Sequence, residues 1–440
     1  MKAAESAAIN VLQLVDEVGA IASATTSETW TSGANLNADR LQLVVDLGVS
    51  SLSLSLTSHR AGLAHVLASS FHFDVNGRQI DDKLISYFAK DFTKKNKVPL
   101  QVCPASTVSE KRAEAKLRLA VEHTKRTLSA SPGAATCSVE SLCDGLDYTG
   151  STNRLLLDLR MRPIYAAVTS KVRELLASAG VDGQYVDEIV YVGGTTCLPG
   201  LNDHIRFEGG FAGSITTPFS AGTIAGGGVG DPTEILARGC ALQAELLHSV
   251  RDEDSRILGA FERDSEWGNV HTTSRTIGMF SCGSNDGDEG PWICLLPKET
   301  PLPARRAVTF DVGLSESSKT FAFEIWEVTE DVEVERIPPA PGLSRVSNSS
   351  DGDGTTEDND EDDEGEYEER VIKVVSNDRY LGGVKLDAKA AVKVKGKWKT
   401  TVVVAAVGDR QGDIRVTVQE TAVGSAGRVE VRIRGRAVST

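Results

Sequence analysis

Glu122-His123-Thr124-Lys125-Arg126-Thr127-Leu128-Ser129 is the stretch whose reading decides the fold of this 440-residue chain. Glu122, Lys125, Arg126 and Ser129 stand at i, i+3, i+4 and i+7, one face of an α-helix. Spacing alone reads that face as solvated ion pairs. A planar arginine can also stack on a base while glutamate and lysine hydrogen-bond ribose hydroxyls. The surrounding elements have to decide between the two.

Working outward, the helix carrying this face is expected from about Ser109, its N-cap candidate, to Leu128. Upstream, residues 3–24 read as one amphipathic helix, and Thr25–Asp39 as a polar turn. Leu41–Asp46 reads as a buried strand broken by Gly48. Leu52, Leu54 and Leu56 then alternate with polar residues in a second, antiparallel strand, and Leu63–Ser70 forms a third. A helix is expected over Asp81–Lys95. Downstream come a strand at Cys137–Asp147, a helix from Asp158 to Ala179 closed by Gly180, a buried strand at Glu188–Val192, and a helix at Pro232–Ser249.

Two strand ends carry chemistry. Asp46-Leu47-Gly48 sets a carboxylate beside a glycine turn, which can order a metal–phosphate group or simply cap a hairpin. Gly193-Gly194-Thr195 follows a buried strand directly. It permits close approach of a phosphate or sugar, or merely makes a tight turn.

Alternating strands and helices make residues 1–250 an α/β region. After a linker at 251–275, residues 276–440 lose helical periodicity. Short strands are expected at Trp292–Leu296, Ala307–Val312, Thr320–Val328, Val371–Val375, Lys399–Ala406, Ile414–Gln419 and Val429–Ile433, the pattern of a β-sandwich. The formal charge is −15, but Asp351–Glu369 holds twelve acids and no base; the rest sums to only −3. The insertion 338–369 is therefore expected to be disordered. The near-neutral remainder argues against direct nucleic-acid binding. The seven cysteines form no CxxC pair and the histidines no HExxH, so neither a disulfide framework nor a metal site is expected. No basic leader or apolar run of membrane-spanning length is present, which predicts a cytosolic protein without a membrane partner.

Taken in order, these segments resemble the seventy-kilodalton heat-shock chaperones, the DnaK-like family. Ala8-Ile9-Asn10-Val11-Leu12 with Glu17 is similar to the helix leading into the family's nucleotide site. Val45-Asp46-Leu47-Gly48 resembles the start of its second phosphate loop, and Glu122–Ser129 its adenosine-binding helix. Ser141-Leu142 with Asp144–Tyr148 resembles the strand after that helix. Val192-Gly193-Gly194-Thr195 with Pro199 resembles its last nucleotide loop, and Asp231–Glu234 with Gly239, Ala241 and Gln243 its closing helix. Pro297–Phe310 resembles an early β segment of its peptide-binding domain.

The resemblance implies an α/β actin-like ATPase domain of the ribonuclease H-like fold, incomplete at its N-terminus, followed by a β-sandwich peptide-binding domain. It implies ATP with Mg²⁺ as ligand. Glu122, Lys125, Arg126 and Ser129 would hold adenosine, Gly193, Gly194 and Thr195 would approach ribose and phosphates, and Asp46 and Gly48 would lie near the metal and terminal phosphate.

Five departures argue against a working motor. The first phosphate loop and catalytic lysine have no counterpart. Val49 and Ser50 replace loop glycines, where a positive φ would be costly. Cys197 replaces an arginine that stacks on the base. Gly268–Thr273 replaces a leucine-rich linker, forgoing about 5 kcal/mol of burial. No helical lid is expected after the last strand. Together they resemble the atypical, lidless branch found in the fungal ribosome-associated complex. The function so implied is a non-hydrolysing chaperone partner without catalytic residues, cytoplasmic and ribosome-associated. It would bind a zuotin-like J-domain protein, act indirectly with the ribosome and a second chaperone of the family, and meet unfolded or nascent peptides. The alternatives are a fragment of an active ATP-hydrolysing chaperone, or an adaptor whose acidic tract binds basic partners.

Overall fold

The computed structural model describes residues 2–27, 39–60, 63–221, 230–250, 259, 270–282, 289–316, 319–337, 368–394, 396–421 and 427–434. The polar turn lies largely outside these residues, as do most of the linker and positions 338–367 of the acidic insertion. The chain divides into two compact units. Unit 1 takes residues up to 272 with 299–302, and unit 2 takes 273–298 with 303 onward.

Unit 1 is built on a four-stranded sheet in the order β3-β2-β1-β6. Its strands are β1 (Arg40–Leu47), β2 (Leu52–Arg60), β3 (Leu63–His72) and β6 (Glu188–Val192). β1 to β3 run antiparallel, and β6 joins β1 in parallel with Asp46 opposite Val192. Strand alternation distributes the core to both faces. Leu43, Val45, Leu47, Ile189 and Tyr191 enter the main cluster on one face. Val44, Val190 and Val192 meet Ile21 and Ile235 on the other. That second face is covered by α2 (Glu17–Ser27) and α7 (Ile235–Ser249). A Cβ added to Gly239 would stand 1.8 Å from the Ala20 carbonyl oxygen, so no larger residue permits this crossing.

The main core is closed by α3 (Arg78–Asn96), α4 (Val108–Ala130), α5 (Arg154–Ala179) and the hairpin β4 (Ala134–Cys143)–β5 (Leu146–Asn153). A further helix, α6 (Pro199–Glu208), opens with proline in its first turn, where the missing N–H costs nothing. The sequence reading passed over it. No helix among the described residues is long and apolar enough to cross a membrane.

Several expected boundaries shift for local reasons. The single helix over 3–24 is two pieces, α1 (Lys2–Ser6) and α2. Asp16 accepts from the Gly19 amide at 2.6 Å and caps α2. Ile9, Leu12 and Leu14 between the pieces are exposed, with no core to hold them in a helix. α4 is capped by Thr107 rather than Ser109, through a reciprocal capping box with Glu110. α5 begins four residues early because the Asn153 side chain caps it. α7 starts at Ile235 because Asp231 takes the Thr233 amide. Cys137–Asp147 is two strands, since Asp144 and Gly145 both take positive φ (51° and 76°), the backbone a tight hairpin needs.

Unit 2 is a β-sandwich. One sheet runs β11-β10-β7-β8, from β7 (Thr276–Cys282), β8 (Glu289–Leu296), β10 (Thr320–Ile337) and β11 (Glu368–Asp387). β11 opens two residues inside the insertion expected to be disordered. The second sheet runs β12-β13-β14-β15 with β9 also on β13, from β9 (Ala304–Leu314), β12 (Val392–Val394), β13 (Lys397–Gly408), β14 (Ile414–Glu420) and β15 (Arg428–Ile433). Met279, Phe323, Ile325, Val384, Val402, Val404, Val416 and Val418 fill the space between the sheets. All seven strands expected here are found; β7 and β12 are additional.

Candidate functional site

Parallel pairing of β1 with β6 brings their C-terminal ends side by side, which is where open α/β sheets bind ligands. A cavity of about 800 Å³ opens there. Gly48, Glu122, Lys125, Arg126, Ser129, Gly193, Gly194 and Thr195 all line it, so eight of the nine residues singled out from sequence converge on one space. The ninth, Asp46, is not in the lining. It ends β1 with its Oδ1 3.3 Å from where a Cβ on Gly193 would stand.

The α4 wall is held by its own apolar side. Leu117, Val121 and Leu128 are buried, which turns Glu122, Lys125, Arg126 and Ser129 to the cavity. Lys125 Nζ bonds Asp81 Oδ1 at 2.8 Å and Glu122 Oε2 at 2.9 Å, while Arg126 Nε bonds Glu122 Oε1 at 2.8 Å. Burial opposes the Lys125 charge, yet Asp81 and Glu122 hold its pKa above the usual lysine range. Arg126 is 77% exposed, so its planar face stays open to a flat ring. Ser129 Oγ donates to the Arg126 carbonyl at 2.8 Å.

The opposite end is organised differently. The Gly48 amide donates to Ser51 O (2.9 Å), Gly77 N to Gly48 O (2.8 Å), Arg78 N to Val49 O (3.0 Å) and Gly193 N to Pro232 O (2.9 Å). Those backbone donors are already committed within the protein. None of residues 48–51 has positive φ, so Val49 and Ser50 are unstrained in a loop shaped to suit them. Gly193 does need its lack of a side chain: φ is +89°, and a Cβ would press within 3.0 Å of Leu47 O.

Beneath this end, burial together with the nearby Glu17 charge pushes the Asp46 carboxyl up to about 6. Asp231 Oδ1 accepts from Thr233 N (2.8 Å) and Thr233 Oγ1 (2.7 Å). Cys197 stands in the wall, its thiol pushed up to about 11 by burial with help from Asp231. Among the described residues no group of three His, Cys, Asp or Glu could cage a metal. Any Mg²⁺ here would be held chiefly by phosphate oxygens and water, the usual habit of that ion.

Sequence reasoning missed four participants. Asp81 opens α3 and reaches Lys125 only through the tertiary fold. Asp231 and Thr233 lie in a segment noted for its helix and not for its place in the wall. Glu17, quoted for its helix, stands near Asp46. The Asp-Pro-Thr-Glu run before α7 was the available signal for Asp231.

The family model described as "Hsp70 protein" matches residues 1–259. Ribosome-associated complex subunit SSZ1 of Saccharomyces cerevisiae is 26% identical over 389 residues, covering 88% of this chain and 64% of that protein. A heat shock protein 70 homologue of Schizosaccharomyces pombe is 28% identical over 346 residues (77% and 54%). Heat shock 70 kDa protein 14 of Rattus norvegicus is 28% identical over 322 residues (72% and 55%). The chain spans about half to two thirds of the length of these relatives.

Proposed function

The chain belongs to the Hsp70 family, and on that premise we propose that it is a chaperone partner that holds ATP in the cavity of unit 1 and hydrolyses it little or not at all. It works in the cytoplasm with a J-domain protein at the ribosome, where the β-sandwich meets unfolded or nascent chains. One relative is named as a ribosome-associated complex subunit, which supports this setting.

The observation that carries the reading is the contrast between the two ends of the cavity. The α4 wall presents an open arginine face and a fixed ion-pair network, suited to a base and ribose. At the other end the amides of Gly48 and Gly193 are tied up internally, and Asp231 in the wall, with Asp46 beneath it, adds carboxylate charge close to where phosphates would sit. A site that stabilises a phosphoryl-transfer transition state needs donors and cations there. This one holds the nucleoside and offers little to the reacting phosphate.

The test uses the whole chain, alone and with a J-domain protein. A fluorescent ATP analogue should bind and be displaced by ATP, while single-turnover hydrolysis stays at the protein-free rate. Hydrolysis well above that rate, rising further with J-protein or peptide, would establish the alternative of an active chaperone, which the intact α4 face also fits. Sedimentation with ribosomes should depend on the J-protein; sedimentation indifferent to it would remove that partner from the reading.

A further inference from the structure

The last turn of α4 carries Arg126 and Ser129 to the cavity and then stops. Pro132 is the reason it stops. It has no N–H for the Leu128 carbonyl at i−4, and it drives the residue before it to extended backbone. Ser131 takes that backbone, with φ −129° and ψ 139°. Gly133, the next amide that could have served Ser129, donates to Ser131 Oγ at 3.3 Å instead. The Leu128 and Ser129 carbonyls are thereby left among the open acceptors of a helix end. Arg154 meets both: its Nε donates to Leu128 O at 2.8 Å and its Nη2 to Ser129 O at 3.0 Å. A planar fork of donors suits this task, and a cation is favoured at a helix carboxyl end.

Arg154 opens α5, and Asp158 follows at i+4 on the same face. The Asp158 carboxylate lies against Gly200 in the first turn of α6. A Cβ on Gly200 would fall 2.2 Å from Asp158 Oδ1 and 2.4 Å from its Cγ, so carboxylate and backbone are in contact. Gly200 directly follows the turn that holds Cys197 and Leu198, and both of these line the cavity. The carboxylate is itself fixed. The buried Tyr165 hydroxyl donates to Oδ1 at 3.2 Å. Burial raises its pKa on balance, while the Tyr165 hydrogen bond and the Arg154 charge pull it down. One turn beyond Tyr165, Thr169 Oγ1 lies 2.9 Å from His204 Nδ1 and keeps α5 against α6.

α5 thus reaches two walls of one cavity from behind, the end of α4 through Arg154 and the turn before α6 through Asp158. Neither residue lines the cavity. Neither caps α5, a task that Asn153 performs. A cation at a helix end or a packed carboxylate can be a local brace and nothing more. Here the two stand one turn apart on a single helix, so a displacement of one wall is passed to the other.

We propose that Arg154 and Asp158 are positioning residues that set the gap between the α4 wall and the Cys197–Leu198 wall, and through it how closely a purine base is held. The proposal rests on the reading of this cavity as a nucleotide site. It assigns part of the base and ribose affinity to two side chains that stand behind the walls.

The experiment uses the full chain, 2-aminopurine riboside triphosphate, whose emission is quenched by stacking, and hydrogen exchange read by mass spectrometry. Arg154→Met should weaken probe binding about tenfold, and Arg154→Lys, which keeps the charge and one hydrogen bond, about threefold. Emission of the bound probe at saturation should rise in Arg154→Met, a change that mere loss of folded protein does not produce. Exchange should quicken in Arg154→Met at 127–133 and also at 197–202. Gly200→Ala, which disturbs the bracket from its other side, should quicken both segments as well. Exchange quickened only beside each substitution overturns the bracket, whether or not nucleotide binds. Coupled exchange with unchanged emission at saturation overturns the positioning role. A wild type that binds no probe removes the nucleotide reading, and coupled exchange alone then decides the bracket.

Discussion

Asp46→Asn tests the electrostatics of the candidate site most directly. Asp46 is partly buried at the end of β1, and its carboxyl is raised from 3.8 to about 6, first by burial and then by Glu17. A pKa raised this far corresponds to about 3 kcal/mol against the anion. Solvent reaches the group, so screening reduces this to about 1–2 kcal/mol. The sign follows from linkage: a carboxyl with a raised folded pKa costs nothing while protonated in both states, and the cost grows as pH climbs from about 4 to 6. Asp46→Asn should therefore be nearly neutral for stability at pH 4 and stabilise unit 1 by about 1–2 kcal/mol at pH 7.5. Urea unfolding of wild type and variant at pH 4, 5, 6 and 7.5 measures this, with hydrogen exchange in β1 reporting on unit 1 separately from unit 2. Binding of Mg²⁺-dependent nucleotide should move the other way and weaken at pH 7.5, the trade-off expected where a functional charge is held at a cost to the fold. A variant equally stable relative to wild type at pH 4 and pH 7.5, or one destabilised at pH 7.5, would refute the assignment of a strained carboxylate.

Other outcomes follow from the same geometry. Lys125→Ala leaves Asp81 and Glu122 facing each other without their shared cation; it should cost about 1–3 kcal/mol in thermal or urea unfolding and remove fluorescent-nucleotide binding. Val49→Gly with Ser50→Gly should loosen the 48–51 loop and raise affinity for ATP relative to adenosine, read by competition calorimetry; an unchanged ratio would mean that the committed amides do not limit phosphate binding. Gly193→Ala, which forces φ +89° on a residue with a Cβ against Leu47 O, should cost at least about 1–2 kcal/mol and disrupt the β1–β6 junction, seen as lost hydrogen-exchange protection. In unit 2, buried Glu420 accepts from Thr400 Oγ1 and the amides of Lys389, Ala390 and Gly427, and its pKa is lowered on balance although burial opposes this. Its contribution is present above the unfolded glutamate pKa and lost as pH falls through the folded one. Glu420→Gln should cost about 2 kcal/mol at neutral pH, with the difference from wild type shrinking in acid.

Much of this was legible in the sequence because it rests on periodicity. The alternation of Leu52, Leu54 and Leu56 describes β2, and the i, i+3, i+4, i+7 set describes the α4 wall. What escaped has particular causes. Residues 7–16 look helical by pattern, but their apolar side chains find no cover and Asp16 caps the next helix. Asp81 reaches Lys125 across 44 residues of chain, a contact fixed only when α3 packs beside α4. The commitment of four amides depends on where carbonyls point, and residue identity does not encode that. Val49 and Ser50 did signal an altered loop, and the negative φ values there are the form the alteration takes.

The two walls of the cavity also differ in what a ligand must displace. Along α4 the Arg126–Glu122 pair is exposed and worth only a few tenths of a kcal/mol, so a stacked base or a ribose hydroxyl can rearrange it at little cost. At the other end, drawing the amides of Gly48 and Gly193 toward phosphate oxygens means breaking two internal hydrogen bonds, each worth about 0.5–1.5 kcal/mol net. The nearby Asp46 and Asp231 carboxylates raise that cost by repulsion unless a metal ion intervenes. On the proposed reading, a nucleotide entering this cavity would gain most of its binding from the base and sugar, and its phosphates would stay weakly organised. Weakly organised phosphates are poorly placed for in-line attack. On the proposed reading, the features that would permit retention and those that would oppose turnover sit on different elements, α4 on one side and the β1 and β6 ends on the other. Glycines returned to positions 49 and 50 should therefore change how phosphate is held without weakening the grip on the nucleoside.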